Sequence, residues 1–431
     1  MKNAASMSLG AAMRGVNVCK AKPLSRNFVL ADHVDSTRCL PGSVCQIDLS
    51  GVPNRDSRGR IAHVRGIFIA AQAEVTLGAT NEAVSAYDLR GLFGSIELTD
   101  STGWKYFDTL DGRTILDDQY FRAGSMLQYP VLRYGAQGAF VPAQTSDNGI
   151  PVNDGAGDAT FGVSLYMPLH NPRSGNPSEG LIPLALIQDL GALRFSVQSV
   201  IPGAPTGVTF NELQYIDGTD NPGLDVWLDV VYLDGAVVDA PWQLSCYTMT
   251  NDSGMLRYPG RETEYCWLRY FTEDTFGANP PISGNGQSLA QSMEGLTLSV
   301  AGFQVFGGFR NVDAVLRMRW FTGTDIDGSW LDNNASRDLP VMTSGAVPLA
   351  LLLMPWRPRG HGPAGGIEIK AQSRTPSAFR FVHRTVTCHD AGRAEKISRA
   401  VGLKAGCACV GTNAKGEQTA NINSTNPILV Y

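Results

Sequence analysis

The 431-residue sequence has no long apolar run. Its longest, Ala346 to Trp356, is about half of the ~20 residues that a bilayer-spanning helix needs, which excludes a helical integral membrane protein. Charge is also scarce, at 17% against the roughly 25% of an average soluble domain, yet 43% apolar content is far too high for a disordered chain. Near the start, Lys2 is followed by Ser, Asn, Gly and Arg14 where a secretory signal would carry an apolar stretch, so synthesis and folding in a cytoplasm are expected. The eight cysteines (Cys19, Cys39, Cys45, Cys246, Cys266, Cys388, Cys407 and Cys409) have no framework-like spacing, and free thiols are expected. No G-x-S-x-G, H-E-x-x-H, P-loop or dinucleotide fingerprint occurs, and the six histidines are widely separated. The expectation is therefore a non-enzymatic protein with no catalytic residues and no cofactor.

What the sequence does contain is punctuation. Its 47 glycines and 24 prolines are scattered along the whole length, and between them lie short segments of alternating or β-branched residues. Ile67-Phe68-Ile69, Ile96-Glu97-Leu98, Phe161 to Tyr166, Leu296 to Val300, Phe303 to Phe306, Val315 to Phe321, Gly366 to Lys370 and Phe379 to Val382 all read as strands. In Leu224 to Asp234, period-2 alternation sends Val226, Leu228, Val230 and Tyr232 to one face and Trp227, Asp229, Val231 and Leu233 to the other. Both faces are mostly apolar, which predicts a central strand buried on both sides. Helix is expected only in connectors, at Asn81 to Leu92 and at Gly392 to Leu403.

One segment recurs. Leu181 to Ile187 (LIPLALI) returns as Ala346 to Leu352 (AVPLALL), 165 residues later, and each copy is followed by an amphipathic strand ending in Gln-Ser, at Gln198-Ser199 and Gln372-Ser373. Two β-domains on one plan follow, each long enough for about eight strands, and eight antiparallel strands in two packed sheets form a jelly roll. The expected fold is all-β, two tandem eight-stranded jelly rolls with short connecting helices. The expected division is an N-terminal arm over 1–43, a first roll over 44–250, a linker over 251–260, a second roll over 261–388, and a short helix with a polar tail over 389–431.

Two blocks carry a resemblance to a known family. The proline-led apolar strand, turn and amphipathic strand of Ile182 to Val197, and the strand Leu224 to Asp234 with Asp225, Tyr232, Leu233 and Asp234 in place, resemble blocks late in the first roll of the double jelly-roll major capsid proteins of tailless icosahedral double-stranded DNA viruses. The direct match covers about 55 residues. Where large-virus members continue with a charged run, this chain continues with Gly235 to Trp242 (GAVVDAPW), which favours a phage-type member. The resemblance implies a viral coat protein of the virion that self-associates as pseudo-hexagonal homotrimers and tiles an icosahedral shell. It also implies contacts with minor capsid proteins at the vertices.

Residues 1–26 hold Lys2, Arg14, Lys20, Lys22 and Arg26 and no acid. On the inner surface of such a shell they would meet an internal lipid membrane or the genome, each base contributing about 1 kcal/mol near an anionic surface. The plainer reading of this arm is a solvated tail.

Other constellations favour structural readings. Cys388, His389, Cys407 and Cys409 supply four soft ligands, but a Cys-His pair with a C-x-C is not a common zinc spacing. Asp325, Asp327 and Asp332 are weak calcium candidates in a turn-rich loop lacking the EF-hand ligand order. Glu262 and Glu264, two apart on a strand, share a face as a glycosidase pair would, though such pairs usually come from different strands. A β-sandwich that binds carbohydrate, such as a receptor-binding spike or a glycosidase-like protein, is the alternative, with aromatic residues lining a groove rather than filling the core.

Overall fold

The computed structural model describes residues 26–77, 90–123, 157–170, 180–199, 223–233 and 242–250, and individual strands elsewhere. Eight main strands, with shorter ones added at their margins, build the first half: β1 (Arg26–Asp35), β2 (Val44–Ile47), β3 (Ile61–Leu77), β4 (Phe93–Thr99), β5 (Lys105–Leu110), β6 (Gly157–Pro168), β7 (Leu193–Val197) and β8 (Gly223–Leu233). They pair in the orders β1-β8-β3-β6 and β2-β7-β4-β5. Apart from the β4–β5 hairpin, strands adjacent in sequence lie in different sheets, as in a jelly roll.

The second half repeats this plan. Its strands are β9 (Trp242–Thr250), β10 (Gly254–Leu256), β11 (Arg261–Thr272), β12 (Met293–Val300), β13 (Phe303–Gly307), β14 (Leu349–Leu353), β15 (Ile367–Ser373) and β16 (Ser377–Thr387). The orders are β9-β16-β11-β14 and β10-β15-β12-β13, the first-roll orders shifted by eight. The chain has a double jelly-roll fold.

The core of the first roll follows from alternation. Leu224, Val226 and Leu228 on β8 stand opposite Ala71, Ile69 and Ile67 on β3, and all six are buried. The facing sheet supplies Ile96, Leu98, Leu193 and Phe195, with Phe93 and Phe195 edge-to-face at 5.8 Å. The other face of β8 is also largely covered, as its two-sided apolar pattern predicts, with Asp229 and Val231 buried.

Several expectations change. Arg26–Asp35 is not part of an arm but the edge strand of the first roll, running antiparallel to β8. Its polar residues are held: Arg38 donates to Asp32 at 2.9 Å and to the Gln46 carbonyl at 2.9 Å, while His33 Nδ1 lies 2.7 Å from Asp225. Trp242–Thr250 opens the second roll, because it pairs along its whole length with Ser377–Thr387, and Gly254–Leu256 within the expected linker is a strand pairing with β15. Both rolls therefore begin earlier than the alternation suggested.

The repeat also sits slightly differently in its two settings. Ile182–Pro183 pairs with His63 and Val64 on β3 before a 3-10 turn over Leu184–Leu186, whereas Leu349–Leu353 is the full strand β14 pairing with β11. Both copies nonetheless flank the third strand of their roll, and both lead into the seventh strand, β7 or β15.

Helix appears where none was expected. Helix α1 (Gly112–Ala123) is capped by Asp111, whose carboxylate accepts from the Thr114 amide at 2.7 Å, and it buries Arg113, Thr114, Asp118 and Gln119 beside Ile115 and Leu116. That mixed face hides it from periodicity. Of Asn81 to Leu92, Ala83–Val84 form a short strand and Arg90–Leu92 a 3-10 turn. Gly392 to Leu403 and Val315 to Phe321 lie outside the described residues. Cys39 and Cys45, expected to be free thiols, are joined in a disulfide with Cα atoms 5.1 Å apart and both side chains buried; the turn between them supplies the approach that the spacing alone does not reveal. Cys246 is not in a disulfide.

Candidate functional site

The two rolls meet at a seam whose residues join the core of the first roll. Strand β9 lies parallel to β5, with Leu244 opposite Phe107 and Ser245 opposite Asp108. One continuous sheet therefore runs from β2 through β5 and β9 to β14. Trp242 anchors it: its ring lies 5.0 Å from Tyr106 and 5.7 Å from Phe107, and its carbonyl accepts from Trp104 Nε1 at 2.8 Å. Trp242 and Leu244 are buried together with first-roll residues, and Cys246 packs against the same cluster. Alternation places Trp242, Leu244 and Cys246 on one face of β9, which is why that face closes on the first roll.

The outer face of the β1-β8-β3-β6 sheet is the corresponding surface at the other flank. Phe28, opposite Asp229, and Leu30, opposite Trp227, are 49% and 45% exposed. Deeper on this face the Tyr166 hydroxyl donates to buried Asp229 Oδ2 at 2.9 Å. Other large apolar side chains that are exposed are Leu40, Val44 and Leu190, at turns and on edge strand β2.

The outer face of the other sheet is polar. Glu97 accepts from Arg194 Nε at 2.7 Å and from Thr109 at 3.0 Å, with Lys105 3.5 Å away. Partial burial pulls the Glu97 carboxyl upward, but the hydrogen bonds from Arg194 and Thr109 and the Lys105 charge outweigh it and hold the group below its ordinary range. This is a ladder of surface charges across three strands.

Two buried bases are shifted by desolvation. His63 is pushed down to about 4, only partly offset by its hydrogen bond with the Ile61 carbonyl. Arg90 is lowered to about 10 by burial beside the start of α1.

Few of the candidate site residues singled out from sequence are among the described residues. Arg26 lies in β1 opposite Val231, whereas Lys2, Arg14, Lys20 and Lys22 fall outside the described residues. Also outside them are Asp325, Asp327 and Asp332, as well as Cys388, His389, Cys407 and Cys409. Glu262 and Glu264 are on β11, but the register slips between Thr263 and Tyr265, so the strict alternation that would give them one face is interrupted at Glu264. Among the described residues no group of three His, Cys, Asp or Glu is arranged to hold a metal ion, and no helix is long and apolar enough to cross a membrane. The seam and the exposed Phe28 and Leu30 were missed by sequence reasoning. Phe28 and Leu30 fall in the segment expected to be an arm, and the seam strand Trp242–Thr250 in the segment expected to end the first roll.

No protein-family model and no curated protein matches the chain. Solved structures similar to it include the STIV MCP, of Sulfolobus Turreted Icosahedral Virus, at 11% identity and a TM-score of 0.49, covering 84% of this chain and 97% of that one. The PBCV-1 virus capsid is similar at 12% identity and a TM-score of 0.47, covering 84% and 95%. The major capsid protein of bacteriophage PM2 is similar at 9% identity and a TM-score of 0.40, covering 85% and 99%.

Proposed function

We propose that this chain, a double jelly roll, is a major capsid protein that assembles as a homotrimer and tiles an icosahedral viral shell. The observation that carries the reading is the strand order: two rolls with the same order of eight main strands, joined at a buried aromatic seam. A block of two like rolls is one third of a six-roll ring, and head-to-tail association closes into a ring where the rotation between copies allows it. The two sequence blocks at Ile182 to Val197 and Leu224 to Asp234 support the same reading. The role is structural rather than catalytic, its place is the virion, and its first partner is itself.

The arm that carries Lys2, Arg14, Lys20 and Lys22 would face inward, toward an anionic membrane or the genome, and minor capsid proteins would complete the vertices. Low overall charge fits a chain that buries much of its flank against copies of itself.

Light scattering and negative-stain microscopy of the purified chain test this. The expected species is three 46.3 kDa chains, roughly 140 kDa, or larger assemblies with hexagonal outline. A monomer with affinity for glycans would overturn it in favour of a carbohydrate-binding sandwich.

A further inference from the structure

The two rolls carry matching irregularities that align them residue by residue. In the first, β3 and β8 slip at Arg65, between the pairs Val64 with Val230 and Gly66 with Asp229. In the second, β11 and β16 slip at Glu264, between Thr263 with Thr385 and Tyr265 with Arg384. The same bulge in the same pair of strands makes Val230 the counterpart of Thr385. Val230 stands opposite Asn27 on β1, and Thr385 opposite Gln243 on β9. Hence Phe28 corresponds to Leu244, and Leu30 to Cys246.

The facing sheets align in the same way. Strands β4 and β5 slip at Tyr106, between Leu98 with Phe107 and Thr99 with Lys105. Strands β12 and β13 slip at Val305, between Leu298 with Phe306 and Ser299 with Gln304. Phe306 is therefore the counterpart of Phe107.

These correspondences bear on the seam. Leu244 lies opposite Phe107 and is 1% exposed, because the first roll covers it. Its counterpart Phe28 is apolar too, yet 49% exposed, and Leu30 beside it is 45% exposed. Among the described residues β1 is the terminal strand of its sheet and β13 the terminal strand of the other second-roll sheet. An edge strand bearing apolar side chains is a ready template for pairing with another chain.

We infer that strand β1 of one copy lies parallel to strand β13 of the next, with Phe28 opposite Phe306 of the partner subunit, repeating between chains the β5–β9 seam found within each. This rests on the capsid reading for its expectation of a closed trimer, and it adds the strands and residues that make the contact. The joint is head-to-tail, since β1 and β13 are different surfaces. Each copy offers one of each, so association continues until a ring closes.

The experiment uses the full-length chain. Phe28→Cys and Phe306→Cys are introduced together and singly, mildly oxidised, and run on a non-reducing gel. The double variant is expected to give covalently linked chains ending at three, and neither single variant is expected to do so. In parallel, Phe28→Asp is expected to lower the mass seen by light scattering to that of one chain while the β-sheet circular dichroism persists. Leu190→Asp, a still more exposed apolar site away from the edge strand, should leave the mass unchanged. If the unaltered chain forms trimers but the double variant fails to cross-link and Phe28→Asp still assembles, this contact is wrong while the capsid reading stands. A chain that is monomeric at every concentration overturns both.

Discussion

Tyr166 reaches across the full width of strand β3 to donate its hydroxyl to Asp229, and it can do so because residue 66 between them has no side chain. A Cβ on Gly66 would fall 2.2 Å from the tyrosine oxygen and 2.4 Å from Cζ. Both partners are buried, so the carboxylate depends on such donors for the solvation it has lost. The bulge at Arg65 sits beside this pair and sets the local register.

Gly66→Ala is therefore expected to displace the Tyr166 ring and destabilise the first roll by about 1–3 kcal/mol, the usual cost of overpacking. Tyr166→Phe keeps the ring and removes only this donor, at a cost of about 1–3 kcal/mol for an acceptor left short of a partner. Urea denaturation distinguishes the cases. If Gly66→Ala is as stable as the parent chain, the tyrosine does not need that space.

At the seam, Trp242→Ala removes the ring that packs on Tyr106 and Phe107. The expected loss is about 3–5 kcal/mol, the range for a large buried aromatic. Thermal unfolding followed by near-ultraviolet circular dichroism should show the loss. An unchanged midpoint would mean that the rolls do not rely on this contact.

Stability should also depend on His63. Its folded pKa of about 4 lies below the ordinary 6.5 because burial disfavours the charged ring. Between these values the unfolded chain binds a proton that the folded chain does not, so stability falls as pH drops from about 6.5 to about 4 and levels off below. The full effect is on the order of 3 kcal/mol. His63→Gln should flatten this part of the pH profile, and denaturation midpoints measured from pH 7 to pH 4 would show whether it does.

The Cys39–Cys45 bond closes a short loop between β1 and β2. For a loop this small, chain entropy gives about 2 kcal/mol. Without reductant, alkylation followed by mass spectrometry should leave Cys39 and Cys45 unlabelled, and Cys39→Ser should lower the urea midpoint. Prompt labelling of both thiols in the freshly purified chain would count against the bond.

The strands easiest to read in the sequence were those whose environment is written in their own residues. Leu224 to Leu233 alternates two apolar faces and is covered on both sides, and the Pro183 and Pro348 copies flank the third strand in each roll. Strand β1 was not legible, because Asp32, His33 and Asp35 make it look like a polar arm until Arg38 and Asp48 are seen to donate to Asp32, Thr37 to Asp35, and Asp225 to pair with His33 Nδ1. Helix α1 was hidden for a similar reason: its buried face includes Arg113, Asp118 and Gln119, which no apolar period reveals.

What the sequence determined by itself was therefore local and periodic: an all-β chain, two rolls on one plan, and which side chains along each central strand turn inward. Those properties follow from alternation and turn chemistry, which act over a few residues. Tertiary structure decided where each roll begins, that β5 and β9 join the rolls edge to edge, and that Phe28 and Leu30 lie on a terminal strand. Such facts depend on pairing between segments more than a hundred residues apart, and an edge strand carries the same residues whether its outer side meets water, a neighbouring roll or another copy of the chain.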